Sequence, residues 1–243
     1  MRLTKIRHFY SIAGAIALAS LASNAVGATI VDWTFETLPA SPAVVTAGPY
    51  TAETGVNATG SEATGGTGGG TTVGTYSSPA GNGDGNTSLH SYSSNGWDVG
   101  DFWQFKFSTV GATGMTLSFD TAGSATGPKN FKVQTSTDGS SYTDLPSGAY
   151  TVAASTWNTN ATPMTGFTST FSLPATLENL SAAYIRLVDT SAATGGAING
   201  GNVGTGGTSR VDNFKVSTVD VPEPCSALLV VCGLAGFGLG RRR

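Results

Sequence analysis

Histidine and cysteine are nearly absent from the chain, with two of each in 243 residues. Both thiols, Cys225 and Cys232, lie close to the C-terminus, so the body can form no internal disulfide and offers no cysteine nucleophile. Zinc loses its usual ligands for the same reason. His8 belongs to the extreme N-terminus, which leaves His90 as the only imidazole for a Ser-His-Asp arrangement, and no Gly-x-Ser-x-Gly elbow accompanies it. It is read as an ordinary strand residue. Charge is also scarce, at 11% of the residues. No basic cluster of the kind that displaces counterions from phosphate occurs in the body, which excludes a nucleic-acid binder. The Gly68-Gly69-Gly70 tract is followed by no Gly-Lys-Ser/Thr, so it is not a phosphate loop.

What the chain has instead is 34 Gly, 35 Thr and 26 Ser, residues that favour strands, turns and loops over helices. At 39% hydrophobic, with 11 Phe, 7 Tyr and 4 Trp, it still carries enough apolar surface for one mid-sized core. The formal charge of -3 hides an asymmetry, because Arg2, Lys5 and Arg7 open the chain and Arg241, Arg242 and Arg243 close it. Between residues 28 and 221 there remain 6 basic and 14 acidic residues, a body of -8.

The two ends read as address labels. Residues 1–28 run from a cationic stretch through a mostly apolar one to Ala25-Val26-Gly27-Ala28, the layout of a secretory signal peptide with a small-x-small cleavage site. At the other end, Val221-Pro222-Glu223-Pro224 precedes an uncharged stretch, 225–240, and then three arginines. As a helix that stretch reaches about 24 Å, a little short of a hydrocarbon core of about 30 Å, and spans it if the arginines snorkel. Cationic flanks stay cytoplasmic, so both ends hold the body outside.

Residues 221–243, with Pro222, Glu223 and Pro224, an apolar Gly/Leu-rich helix and the terminal Arg241, Arg242 and Arg243, resemble the PEP-CTERM sorting signal. That resemblance implies export, removal of the leader by signal peptidase, and recognition of the tail by an exosortase, with the product often associated with exopolysaccharide. Cys225 departs from the pattern, standing where Ser or Thr is common. An unprocessed C-terminal anchor, held in the membrane by the same helix, is the alternative.

Residues 29–220 form the middle domain. Trp103, Phe105 and Phe107 alternate with Gln104 and Lys106, and Met115, Leu117 and Phe119 alternate with Thr116 and Ser118. The same period of two recurs at 31–35, 131–135, 184–188 and 214–216, which predicts half-buried strands. Asn95-Gly96, Asp138-Gly139 and 146–148 mark turns. Short strands without helical crossovers predict an all-β, antiparallel β-sandwich of jelly-roll type, with a signal helix before it and a hydrophobic helix after it. The Gly-rich stretches 55–74 and 190–209 are expected to be surface loops or disordered excursions. Gly100-Asp101-Phe102-Trp103, Gly127-Pro128-Lys129-Asn130-Phe131 and Arg210-Val211-Asp212-Asn213-Phe214 are also similar to jelly-roll domains found upstream of such tails, which resemble carbohydrate-binding modules of the galactose-binding-like kind.

The expected function is that of an exported, non-enzymatic protein of the cell surface or surrounding polysaccharide. A sugar-binding module is the alternative, and an envelope glycosidase or lyase a third reading, although no sequence feature picks out a carboxylate pair. Pyranose rings stack on exposed aromatics, and Tyr76, Tyr92, Trp97 and Trp157 lie among Gly, Ser, Asn and Thr, so these four are the candidates. Neutral polysaccharide is the expected partner, because a body at -8 repels acidic sugars. No cofactor is expected beyond calcium. Asn82, Asp84 and Asn86 begin like an oxygen-ligand loop but fail as an EF-hand. Strand alternation puts Asp212 on the face of Phe214 and Val216, where a carboxylate needs a partner such as Ca²⁺ shared with Glu36.

Overall fold

The computed structural model describes residues 27–37, 48–67, 75–79, 90–154 and 168–219. The signal segment up to residue 26 and the segment 221–243, with Pro222, Glu223, Pro224 and the terminal arginines, lie outside them, as do residues 82–86 and Trp157. The expected terminal helices therefore fall outside the described residues. Among those that are described, no helix is long and apolar enough to cross a membrane.

Alternation of apolar and polar residues becomes strand. The strands are β1 (Thr29–Trp33), β2 (Glu62–Thr67), β3 (Thr75–Pro79), β4 (His90–Asn95), β5 (Phe102–Phe107), β6 (Met115–Gly123), β7 (Asn130–Ser136), β8 (Thr143–Thr151), β9 (Ala153–Ala154), β10 (Thr168–Ser172), β11 (Ala183–Asp189) and β12 (Thr208–Thr218). The only helical turn among the described residues is a 3-10 turn at Ala175–Leu177. One sheet has the order β10-β6-β12-β4-β3, with β1 also on β12 and β9 beside β6; the other, of five strands, has the order β2-β5-β11-β7-β8. All pairings are antiparallel except the two-residue contact of β6 with β9.

The inner faces of the two sheets meet in an aromatic core. Trp33 of β1 packs edge-on against Phe105 of β5 and Phe214 of β12, and Phe105 and Phe214 lie nearly parallel, at 7°. Tyr92 of β4 packs against Trp103 of β5 at 4.9 Å between centroids. Each such side chain removed from water contributes about 1.5–3 kcal/mol. The strands expected at 103–107, 115–119, 131–135, 184–188 and 214–216 form, because alternation is a local property, and that expected at 31–35 ends at Trp33, with Phe35 turned to φ +54°.

Three expectations are corrected. The stretch 55–74 contains β2, and Ala63 and Gly65 are buried against the core. A Cβ at Gly65 would sit 2.6 Å from both Trp103 and Tyr92, so the glycine is there to let the backbone pass beneath two rings. The stretch 190–209 is packed as well. Ile198 and Asn199 donate their N–H groups to Gly127 and Ala125, Ala197 is buried, and β12 begins inside the stretch. Residues 146–148 do not separate two strands. They bulge within β8, where pairing with β7 shifts between Lys132 and Gln134 and Ser147 adopts φ +57°.

Candidate functional site

The five-stranded sheet turns one face to the core, and its opposite face carries long polar side chains. Antiparallel register lines up Thr64, Gln104, Arg186, Gln134 and Asp144 as one row across all five strands. The outermost strands are four spacings apart, so the row is about 19 Å long. A second row, Glu62, Lys106, Tyr184 and Ser136, runs beside it, and a third, Phe102, Val188 and Lys132, lies on the other side.

At the centre stands Arg186, its guanidinium between the Phe102 ring at 3.8 Å and the Tyr142 ring at 3.6 Å. Its Nε–H donates to Gln104 Oε1 at 2.9 Å, and the Tyr142 hydroxyl donates to the same oxygen at 2.9 Å. Burial moves both groups toward their neutral forms: it lowers the Arg186 pKa and raises that of Tyr142. Gln134 Nε2 donates to Asp144 at 2.7 Å and Lys132 pairs with the same carboxylate at 2.9 Å, which together hold Asp144 below the ordinary carboxylate range. Lys106 pairs with Glu62 at 2.7 Å, and the bond raises the lysine pKa.

The turn between β7 and β8 delivers Tyr142 to this face. Asp138 Oδ1 accepts the N–H groups of Ser141 at 2.7 Å and Ser140 at 2.8 Å and the Ser136 hydroxyl at 2.9 Å, which hold its pKa far below the usual value. Gly139 adopts φ +74°, and a Cβ there would meet the Tyr184 ring at 2.8 Å. Gly139→Ala is therefore expected to cost about 1–2 kcal/mol through the left-handed backbone alone, measured as a lower urea midpoint. Displacement of Tyr184 adds to it.

The structure redistributes the aromatic candidates. Tyr92 is 0% exposed and Trp97 4% exposed, both in the core, so neither offers a ring face to a sugar. Trp97 donates its Nε1–H to Ser94 O at 2.9 Å and packs on Trp103 and Phe131. Tyr76 lies on β3, its side chain outside the described residues, as is all of Trp157. Asp212 is also corrected. Pairing of β12 with β6 shifts between Asp212 and Lys215, and Asn213 takes φ +47° there, so the extra residue buries both Val211 and Phe214 and leaves Asp212 half-buried. Asp212 Oδ1 accepts the Asn213 N–H at 2.8 Å, and Glu36 sits half-buried in the turn after β1. Among the described residues no three His, Cys, Asp or Glu side chains gather as a metal would require.

A shallow pocket of about 50 Å³ lies among Trp97, Asp98, Val99, Asp189 and Ser191. It has room for a water or two, against the several hundred Å³ that small-molecule sites enclose.

Sequence reading placed Gln104 and Lys106 opposite the apolar face of β5 but did not assemble the rows. The signal was present in the cations: of 6 in the body, Lys106, Lys132 and Arg186 all occupy outward strand positions of this one sheet.

No protein-family model and no curated protein matches the sequence. Among solved structures, the chain is similar to the CBM22-1-GH10 modules of Clostridium thermocellum endo-1,4-beta-D-xylanase 10B, complexed with xylohexaose, at 14% identity and TM-score 0.42, covering 79% of this chain and 29% of that one. It is similar to the CBM22-1-CBM22-2 tandem domain of Paenibacillus barcinonensis Xyn10C at 14% identity and TM-score 0.42, covering 86% and 50%. It is also similar to a cleaved adhesin domain of Lys-gingipain from Porphyromonas gingivalis at 14% identity and TM-score 0.40, covering 65% and 90%. The chain thus spans half or less of the length of the first two.

Proposed function

We propose that this chain is an exported, non-enzymatic glycan-binding protein whose β-sandwich, of jelly-roll type, takes saccharide on the outward face of its five-stranded sheet. The row Thr64, Gln104, Arg186, Gln134 and Asp144, flanked by half-buried Phe102, Tyr142 and Tyr184, carries this reading. Sugar rings need apolar ring faces to stack on and planar amides or guanidinium to take their hydroxyls, and the face combines both along a line several pyranose rings long. In this reading signal peptidase removes the leader, an exosortase acts on the tail after Pro222, Glu223 and Pro224, and the sandwich resides at the cell surface or in the polysaccharide around it.

Affinity electrophoresis of the full chain through gels containing neutral β-linked polysaccharides tests the site. Retardation is expected, and Tyr184→Ala and Gln134→Ala each weaken it by about tenfold, equivalent to about 1.4 kcal/mol. Variants that keep their melting temperature and migrate like the wild type remove this face from the proposal. Intact mass of the protein from native cells tests the sorting: loss of both terminal segments is expected, and a full-length chain in the inner membrane overturns it.

A further inference from the structure

Arg186 is the fourth of seven residues in β11, and β11 is the middle strand of five, so its guanidinium stands at the centre of the outward face. Rings cover both of its flat sides and Gln104 takes its Nε–H. The guanidinium also donates to the Tyr142 hydroxyl, and what remains for a ligand is the rest of the edge that carries the terminal N–H groups, donors suited to a carboxylate. Ion pairs elsewhere on the face are already made, Lys106 with Glu62 and Lys132 with Asp144. Among the described residues no carboxylate pairs with Arg186.

We infer that this face binds a linear glycan carrying uronate groups, with Arg186 taking a sugar carboxylate through its free edge. The inference rests on the glycan-binding reading of the same face and deepens it. It also revises the charge argument made from the sequence. The body carries -8, but this face is balanced, Lys106, Lys132 and Arg186 against Glu62, Asp144 and Asp138 of the β7–β8 turn, so the sugar meets no local excess of negative charge. Acids elsewhere on the body reach the bound sugar largely through solvent, where physiological salt screens exposed charges over about 8 Å, so the charges of this face act on it most strongly.

The test uses the full chain in gels containing polygalacturonate or alginate, each beside the same polymer with its carboxyl groups reduced to neutral alcohols. Wild type is expected to bind a uronate polymer at least about tenfold more tightly than its reduced form at physiological salt, a ratio that depends on no variant. Arg186→Lys keeps the charge but loses the fork, and it is expected to weaken binding to the uronate polymer by more than binding to the reduced one, so that most of the preference is lost. Equal binding of charged and reduced polymers, or retention only on the neutral panel, overturns the inference and leaves glycan binding standing. Poly-glutamate offers carboxylates without rings, and retention on it equal to that on the uronate polymers overturns the sugar assignment. Absence of retention on every saccharide, charged or neutral, removes the glycan reading itself.

Discussion

Trp97→Ala is expected to lower the unfolding free energy by about 3–5 kcal/mol, the usual cost of emptying a buried Trp or Phe site. Trp97 is enclosed by Trp103 at 5.3 Å and Phe131 at 5.6 Å between centroids, and its indole N–H is committed to Ser94 O. The folded fraction of the variant should match the wild type in any glycan binding, because the ring points into the sandwich and the proposed saccharide face lies on the other side of the five-stranded sheet. A urea melt followed by far-UV circular dichroism, with affinity electrophoresis below the transition, separates the two effects. Loss of glycan binding with an unchanged midpoint would return Trp97 to the site.

Asp189→Asn is expected to remove a pH dependence of roughly 3 kcal/mol. Asp189 ends β11, is 1% exposed, and accepts the Ser191 N–H at 2.7 Å. Burial, together with repulsion from Asp101 and Asp98, outweighs the Ser191 hydrogen bonds and pushes its pKa from 3.8 up to about 6. Between those two values the folded chain holds a proton that the unfolded chain has released. The contribution of Asp189 to stability is therefore greatest below about pH 4 and falls as pH rises through 6. An Asn at this position keeps the acceptor oxygen for Ser191 and never ionises. Unfolding curves of variant and wild type should coincide near pH 4 and diverge in favour of the variant by pH 7.5. Parallel curves across that range would show that Asp189 ionises in the native state as freely as in water.

Strand existence was legible because it is local. Trp103, Phe105 and Phe107 announce a buried face whatever they are paired with, since the pleat puts alternate residues on one side. The exclusions were equally local: with His90 the only imidazole in the body and no thiol there, several kinds of site are ruled out by composition alone. Local context misled where burial came from elsewhere. Tyr92 sits between serines and Trp97 beside Gly96, yet strands distant in sequence close over both rings, and Gly65 in a stretch that looked featureless supplies the space over Tyr92. Asp212 was placed on the wrong face because alternation assumes an unbroken strand, and a single residue at positive φ, Asn213, reverses its parity.

The sequence by itself determined an all-β body with one imidazole, no thiol, and an aromatic core large enough to hold two sheets together. Only the tertiary structure decided which polar residues meet. Gln104, Gln134 and Arg186 belong to three strands far apart in the chain, and the antiparallel register of β5, β11 and β7 brings them into one row. Register depends on which strands pair and where they bulge, a cooperative outcome of packing the whole core, and no window along the chain contains it.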